Sequence, residues 1–230
     1  MQPVKVAILI DGGYFLKRIH AVRPDVFAHD PIQVDKAIGQ LVHNHLSYLN
    51  KVACADHPFS LLYRCFYYDA NPYANKGHLP VSHSAIDYAK SDEAVFRLKL
   101  FDLLRRRSNF ALRLGEVRRE RAWVLSERAQ KDLLAKRRPV DSLTDADFWP
   151  GFRQKGVDIA SISLKKQADT IVLVTGDSDF VPATKLARRE GIRIILDPMW
   201  QSVGESLFEH IDGLFSGFGK PKAKDSDDSV

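Results

Sequence analysis

Three apolar runs in this chain each lead into aspartate. Asp11 follows AILI, Asp177 and Asp179 follow IVLVTG, and Asp197 follows IRIIL. In a parallel α/β sheet the carboxyl ends of the strands share one edge, and ligands bind there. Asp11 and Asp177 meet at that edge if their strands are neighbours. Clustered carboxylates raise one another's pKa unless a cation offsets them. An oxygen-only ligand set, without His or Cys, suits Mg²⁺ or Mn²⁺. Such an ion activates water and stabilises charge on a transferring phosphoryl group. The companions Gly12, Gly13, Gly176 and Ser178 are small, which lets phosphate and a hydrated ion approach the backbone.

The same residues have a structural reading. An Asp after a strand often caps the helix that follows, accepting from its free N–H groups. Asp179 suits that task for the helix containing Pro182, and Asp197, just before Pro198, reads as structural. Other chemistries fail on spacing. The chain has no GxGxxG and no GxxxxGKS or GxxxxGKT, and IDGGYF lacks a third glycine, so no nucleotide cofactor is expected. No HExxH occurs, and His78 and His83 have no third ligand placed near them. Cys54 and Cys65, the only cysteines, form no CxxC and cannot build a disulfide framework or a four-cysteine zinc site.

The elements that must position these aspartates read as alternating strands and helices. Val4 to Ile10 is β-branched and apolar, as a buried strand requires. Tyr14 to Ile19 starts a helix or loop behind it. Asp30-Pro31 begins a helix, with Asp as cap and Pro at the first position. Val34, Ile38, Leu41, Val42, His45, Leu46 and Leu49 then recur at helical spacing, with His45 as a packed side chain. Leu61 to Tyr68 is a second strand. Residues 70–91, rich in Pro, Gly, Asn, His and Tyr, read as a long loop. Asp92 to Arg107 is a helix with Val95, Leu98, Phe101, Leu103 and Leu104 turned inward. Phe110 to Val117 is a strand, and Arg118 to Arg121 leads to a turn or another strand near Trp123. Ser126 to Lys136 has helical character. Ile171–Val174, Val181–Arg189, Ile192–Leu196 and Val203–Phe208 then alternate strand and helix, with Gly191 as a stop. Short links between such elements argue for a parallel sheet with right-handed crossovers.

The chain has 230 residues and a mass of 26.0 kDa, enough for one medium domain or one domain with an appendage. Apolar content of 45% and charged content of 27% exclude disorder throughout. The opening apolar stretch is broken by Lys5 and is too short to target or span a membrane. A cytoplasmic, reducing setting fits the cysteine usage best. The formal charge of +5 is local: Ala94 to Arg121 holds nine Lys or Arg against three acids, a net +6. Such a patch suits a polyanion partner. Arg105, Arg106, Arg107, Arg113, Arg118 and Arg119 are its candidate backbone-binding residues, and a solvated helix face with a charged turn is the alternative. Tyr14, Tyr67 and Tyr68 could stack on single-stranded bases, with packing as the other reading for Tyr67. Apolar residues from Trp200 to Phe218 could support a homodimer.

The segments AILIDGGYF, FRQKGVD and IVLVTGDSDFVPATKLARREGIRIILDP resemble the NYN domain proteins, in particular the LabA-like branch of the PIN-like nucleases. The resemblance runs from about Val4 to Phe215 and is weaker in the middle. It implies a Rossmann-like (PIN-like) three-layer α/β fold with a central, mainly parallel sheet. It implies one domain over residues 1–218 with an inserted or elaborated middle region at about 70–150. Separately, the Lys-, Asp- and Ser-rich stretch at 219–230 reads from its composition as a disordered tail. The resemblance also implies an acidic site dependent on Mg²⁺ or Mn²⁺, and ribonuclease activity. Carried over residue by residue, Asp11 is similar to the first family carboxylate, Asp158 to that of the KGVD motif, and Asp177 and Asp179 to the GDSD pair. Thr175 and Ser178 line the same turn.

The pattern departs from the family twice. Tyr14 stands where many relatives have Asn, which replaces an amide with an aromatic ring. KGVD runs straight into IASISLKKQAD, without the apolar stretch and second Asp found in relatives, so Asp158 could correspond to either acid. The expected mechanism has Asp11, Asp158, Asp177 and Asp179 holding one or two ions while water attacks a phosphodiester in line. Lys155 is a candidate phosphate contact or a solvated lysine. The two departures motivate the alternative, a non-catalytic RNA-binding or regulatory module that keeps the fold. A phosphatase acting on a small ester is a third reading, and the basic patch favours a polymer over it.

Overall fold

The structure is a computed structural model and describes residues 4–155 and 167–221. The chain runs β1 (Val6–Asp11), α1 (Gly12–Val22), α2 (Pro31–Ala53), β2 (Leu62–Asn71), β3 (Lys76–His78), β4 (Ala85–Asp87), α3 (Asp92–Arg105), β5 (Phe110–Leu125), α4 (Glu127–Leu134), β6 (Phe148–Lys155), β7 (Thr170–Val174), α5 (Val181–Arg189), β8 (Arg193–Asp197), α6 (Glu205–Phe208) and β9 (Gly213–Leu214). Of the described residues, those within Met1–Asp69, Leu100–Arg113 and Val157–Val230 make one compact unit, and those within Ala70–Lys99 and Leu114–Gly156 make a second.

The first unit is built on parallel strands in the order β2-β1-β7-β8-β9, with the start of β5 beside β2. Both faces of this sheet are covered, which is why β1, β7 and β8 are near-continuous apolar runs. Side chains alternate between the faces. Ala7, Leu9, Phe66, Tyr68, Ile171, Leu173, Ile194 and Leu196 share one face with Ala187 of α5 and Leu207 of α6. On the other face, Tyr67 meets Phe101 of α3 edge-on at 6.4 Å, and His45 of α2 reaches Asp197. Helices thus lie on both sides of a mainly parallel sheet, the three-layer α/β architecture expected from the sequence.

Local chemistry sets the element ends. Asp30 caps α2, its Oδ1 accepting from Ile32 N–H at 2.9 Å. Val34, Ile38, Leu41, Val42, His45 and Leu46 are buried along that helix at the expected spacing. After α5 the chain turns at Gly191, whose φ of 78° is the left-handed region glycine adopts freely. The topology has one further consequence. From β1 the chain places β2 on one side, while β7, β8 and β9 fill the other, so the strand order switches between β1 and β7. In open parallel sheets that is where ligands bind, outside the carboxyl ends.

The second unit is antiparallel. β3 pairs with β4 from Lys76↔Asp87 to His78↔Ala85, and β5 pairs with β6 from Glu116↔Lys155 to Leu125↔Phe148. Several sequence expectations change here. Residues 70–91 form a small hairpin and a 3₁₀ turn rather than a plain loop. β5 runs through Arg118–Arg121 without a turn, and a pairing irregularity between Arg119 and Trp123 absorbs the charged run. β6 gave no strand signal because it contains Pro150 and Gly151, which are tolerated on a strand at the end of a sheet. On α3, Phe96, Leu100, Phe101 and Leu104 are buried, whereas Val95 and Leu98 are exposed. The buried stripe follows the four-residue steps from Phe96, which displaces those two from the inner side.

Candidate active site at the carboxyl edge of the parallel sheet

Asp11 ends β1 one residue beyond the last pairing with β7, Ile10↔Val174. The chain turns directly into α1 at Gly12, and Asp11 becomes that helix's N-cap, its Oδ1 accepting from Tyr14 N–H at 3.0 Å. Such a sharp entry needs small residues. A Cβ on Gly12 would lie 2.5 Å from Tyr67 Cζ, so the Tyr67 ring fills that space and is fully buried. A Cβ on Gly13 would lie 3.5 Å from Asp11 Oδ1, an ordinary contact beside the carboxylate.

β7 ends at Val174, and the turn after it carries Thr175, Gly176, Asp177, Ser178 and Asp179. Thr175 is fully buried. Its hydroxyl donates to Asp11 Oδ2 at 3.2 Å and accepts from Asp177 N–H at 3.1 Å. One side chain therefore ties the carboxylate at the end of β1 to the backbone that carries Asp177. Burial pushes the Asp11 carboxyl above its usual pKa. The Asp177 charge acts in the same direction, against bonds from Tyr14 N–H and the Thr175 hydroxyl.

Asp177 closes the 3₁₀ turn Ser178–Phe180 by accepting from Asp179 N–H at 3.0 Å. Helix α5 has no side-chain cap, so the capping expected of Asp179 falls one turn earlier, on Asp177. Asp177, Ser178 and Asp179 are all exposed. The described acids do not converge further: among the described residues, no three His, Cys, Asp or Glu are grouped to hold an ion. Asp158 lies outside the described residues. Lys155 is the last residue of β6.

The donor set at this edge is carboxylate and hydroxyl oxygen. That chemistry fits a hard cation, and Mg²⁺ commonly keeps several waters and uses only one or two carboxylates. Asp11 and Asp177 are the pair that could hold it.

Tyr14 shapes the edge in a way its residue type did not announce. Its ring lies against Gly176, where an added Cβ would be 2.7 Å from Tyr14 Cε2, and its hydroxyl donates to the Pro198 carbonyl at 2.6 Å. Burial is the main cause that pushes the phenol up to about 12. One turn along α1, Arg18 Nη2 donates to the Met199 carbonyl at 2.9 Å. The four-residue spacing of Tyr14 and Arg18 was the available signal. Tyr68, like Tyr67, is buried.

Asp197 is structural. It is fully buried, with Oδ1 accepting from Met199 N–H at 2.8 Å. Its Oδ2 lies 2.7 Å from His45 Nε2 and accepts from Gly217 N–H at 2.9 Å.

The arginines separate by environment. In the first unit Arg107 forks onto Asp35 of α2, Nε to Oδ1 at 2.5 Å and Nη2 to Oδ2 at 2.8 Å. Arg106 pairs with Asp102 one helical turn away, Arg113 lies 5.2 Å from the Phe66 ring centre, and Arg105 is exposed. In the second unit Arg118 is exposed, 3.7 Å from Glu116, and Arg119 stacks on Tyr88 and Trp123 at 5.4 and 4.8 Å. From Trp200 to Phe218, Trp200, Phe208 and Leu214 are exposed while Leu207 and Phe218 are buried. Among the described residues, no helix is long and apolar enough to cross a membrane. The tail expected at 219–230 lies outside the described residues beyond position 221.

Residues 156–207 match the NYN domain. This NYN-domain region takes in Asp158, Thr175, Asp177, Ser178 and Asp179, and it does not reach Asp11. The structure is also similar to the crystal structure of a protein of unknown function from Vibrio parahaemolyticus. That likeness covers 95% of this chain and 99% of the other at 15% identity, with a TM-score of 0.40. No curated protein matches the chain.

Proposed function

We propose that the edge between β1 and β7 is the active site of a divalent-metal-dependent ribonuclease, of the LabA-like branch of the PIN-like nucleases, acting on single-stranded RNA. The observation that carries this reading is the joining of Asp11 to the Asp177 turn through Thr175, at the point where the strand order switches. The NYN-domain region supports it, because it spans the GDSD turn and such domains are associated with nuclease activity.

In this reading Asp11 and Asp177 would hold Mg²⁺ or Mn²⁺, with Asp158, which lies outside the described residues, as the proposed further ligand, while Asp179 does not join the pair. When bound, the ion supplies charge that makes water more acidic and offsets charge on the phosphoryl oxygens. The protein's own groups orient and exclude. The Thr175 hydroxyl and the Tyr14 N–H fix both Asp11 oxygens, and Tyr67 closes the sheet beneath Gly12. Gly13 and Ser178 are the proposed substrate contacts beside the acids, and Lys155 is proposed as a phosphate contact from its residue type alone. The reaction adds water across one P–O bond, leaving a phosphate on one fragment and a hydroxyl on the other. Arg105, Arg106, Arg113 and Arg118 are the exposed arginines proposed to meet the RNA backbone, a sequence-independent contact.

One observation favours a second reading, an RNA-binding module without catalysis: among the described residues, no third acid joins the pair. The two readings part in one assay. End-labelled single-stranded RNA is incubated with the protein in Mn²⁺, Mg²⁺ or EDTA, beside the Asp177→Asn variant. Cleavage that needs both metal and Asp177 supports the nuclease. RNA retained without cleavage by the folded protein supports the binding module.

A further inference from the structure

We propose that Tyr14 is a positioning residue for the acidic edge, a clasp that fixes Asp11 relative to the Asp177 turn by engaging three strand ends at once. At the end of β1 its N–H donates to Asp11 Oδ1 at 3.0 Å. After β7 its ring occupies the space over Gly176, the residue before Asp177, where a Cβ would meet Cε2 at 2.7 Å and the hydroxyl oxygen at 2.9 Å. After β8 its hydroxyl donates to the Pro198 carbonyl at 2.6 Å.

The partner on β8 is built for this contact. Met199 and Trp200 both adopt left-handed backbone, at φ 46° and 62°, a conformation that is unfavourable for non-glycine residues. The turn is held by Asp197 Oδ1, which accepts from Met199 N–H, and by the Trp200 indole, which donates to the Phe218 carbonyl at 2.8 Å. It presents two successive carbonyls, Pro198 and Met199, to Tyr14 and Arg18 of α1. The first turn of α1 is thereby anchored at Asp11 by the Tyr14 backbone N–H and at Pro198 by the Tyr14 hydroxyl. Gly176 is the complement, since any side chain there would push the ring off the turn that carries Asp177.

The inference rests on reading this edge as the divalent-metal site, and the experiment separates the two. Amide hydrogen exchange at Asp177 and Asp179 reports order in the turn without any metal, because Asp177 N–H is held by Thr175 and Asp179 N–H by Asp177. Tyr14→Phe removes one hydroxyl bond and should speed exchange at those amides about fivefold, as expected for a single neutral hydrogen bond. Tyr14→Ala and Gly176→Ala should each speed it by about tenfold or more. The two effects should not add, because the second substitution finds no ring to displace once Tyr14 is gone. Mn²⁺ titration on the same variants should show weakened binding in the same order, with thermal midpoints near that of wild type. Unchanged exchange and unchanged Mn²⁺ binding in Tyr14→Ala would overturn the proposal, as would simple additivity in the double variant. Faster, non-additive exchange in a protein that binds no Mn²⁺ would uphold the clasp and overturn the metal reading instead.

Discussion

Asp11 and Asp197 end buried parallel strands at the same edge of one sheet, and their carboxylates meet different surroundings. Asp197 is fully enclosed, and its two oxygens are taken up by Met199 N–H, Gly217 N–H and the His45 ring. Asp11 is only partly buried, receives Tyr14 N–H and the Thr175 hydroxyl, and feels the charge of exposed Asp177. An aspartate after a strand is thus no single signal. Where buried donors saturate it, it fastens neighbouring chain. Where a second carboxylate opposes it at the rim, it forms the pair proposed to hold a cation.

Substitutions can break this contrast, and the largest expected effect is on turnover. Asp177→Asn should lower the proposed metal-dependent RNA cleavage by about a hundredfold or more, because it removes charge from the pair proposed to hold the ion. The urea midpoint should barely move, since the side chain is exposed and the asparagine oxygen can still accept from Asp179 N–H. Asp197→Ala should do the reverse. It strands the buried His45 and two backbone donors, and urea unfolding should show a loss of about 3 kcal/mol.

Thr175→Val sharpens the comparison from between. It keeps the shape of a fully buried side chain but deletes the link from Asp11 to the Asp177 turn. Stability should fall by about 1 kcal/mol in urea. Cleavage should fall about tenfold in the same variant, a combination neither aspartate substitution gives.

The smallest effect concerns pH. The Asp11 carboxyl has a folded pKa above its usual 3.8, so the folded state holds that proton more tightly than the unfolded chain does. Its contribution to stability is therefore greatest below the unfolded value and declines as pH rises through the folded value. Asp11→Asn removes that decline. The variant's thermal midpoint should gain on wild type as the pH is raised from about 4 to about 7, and the two should converge again on acidification.

Much of the parallel sheet was legible because its strands are buried on both faces and so read as unbroken apolar runs between punctuating Gly, Asp and Pro residues. Asp30-Pro31 and Gly191 marked element ends through chemistry that acts locally. The second unit was harder to read. The Arg118–Arg121 stretch and the Pro150-Gly151 step argue against strands taken alone, and only their antiparallel pairing makes β5 and β6.

At the site, Asp11 and Asp177 could be paired from sequence because both follow apolar strands. Asp197 could be set apart because Pro198 follows it. The bridging role of Thr175 depends on the register of β1 against β7. The role of Tyr14 depends on a left-handed turn at Met199 and Trp200, which no local motif encodes. Arg107 looked like its neighbours until Asp35, 72 residues away, claimed its guanidinium.

The most direct measurement is a calorimetric titration of Mn²⁺ into the metal-free protein and into Asp177→Asn. Binding by the wild-type chain that disappears in the variant is the predicted result. No binding by the wild-type chain, or equal binding by both, would contradict the assignment of a cation site between β1 and β7.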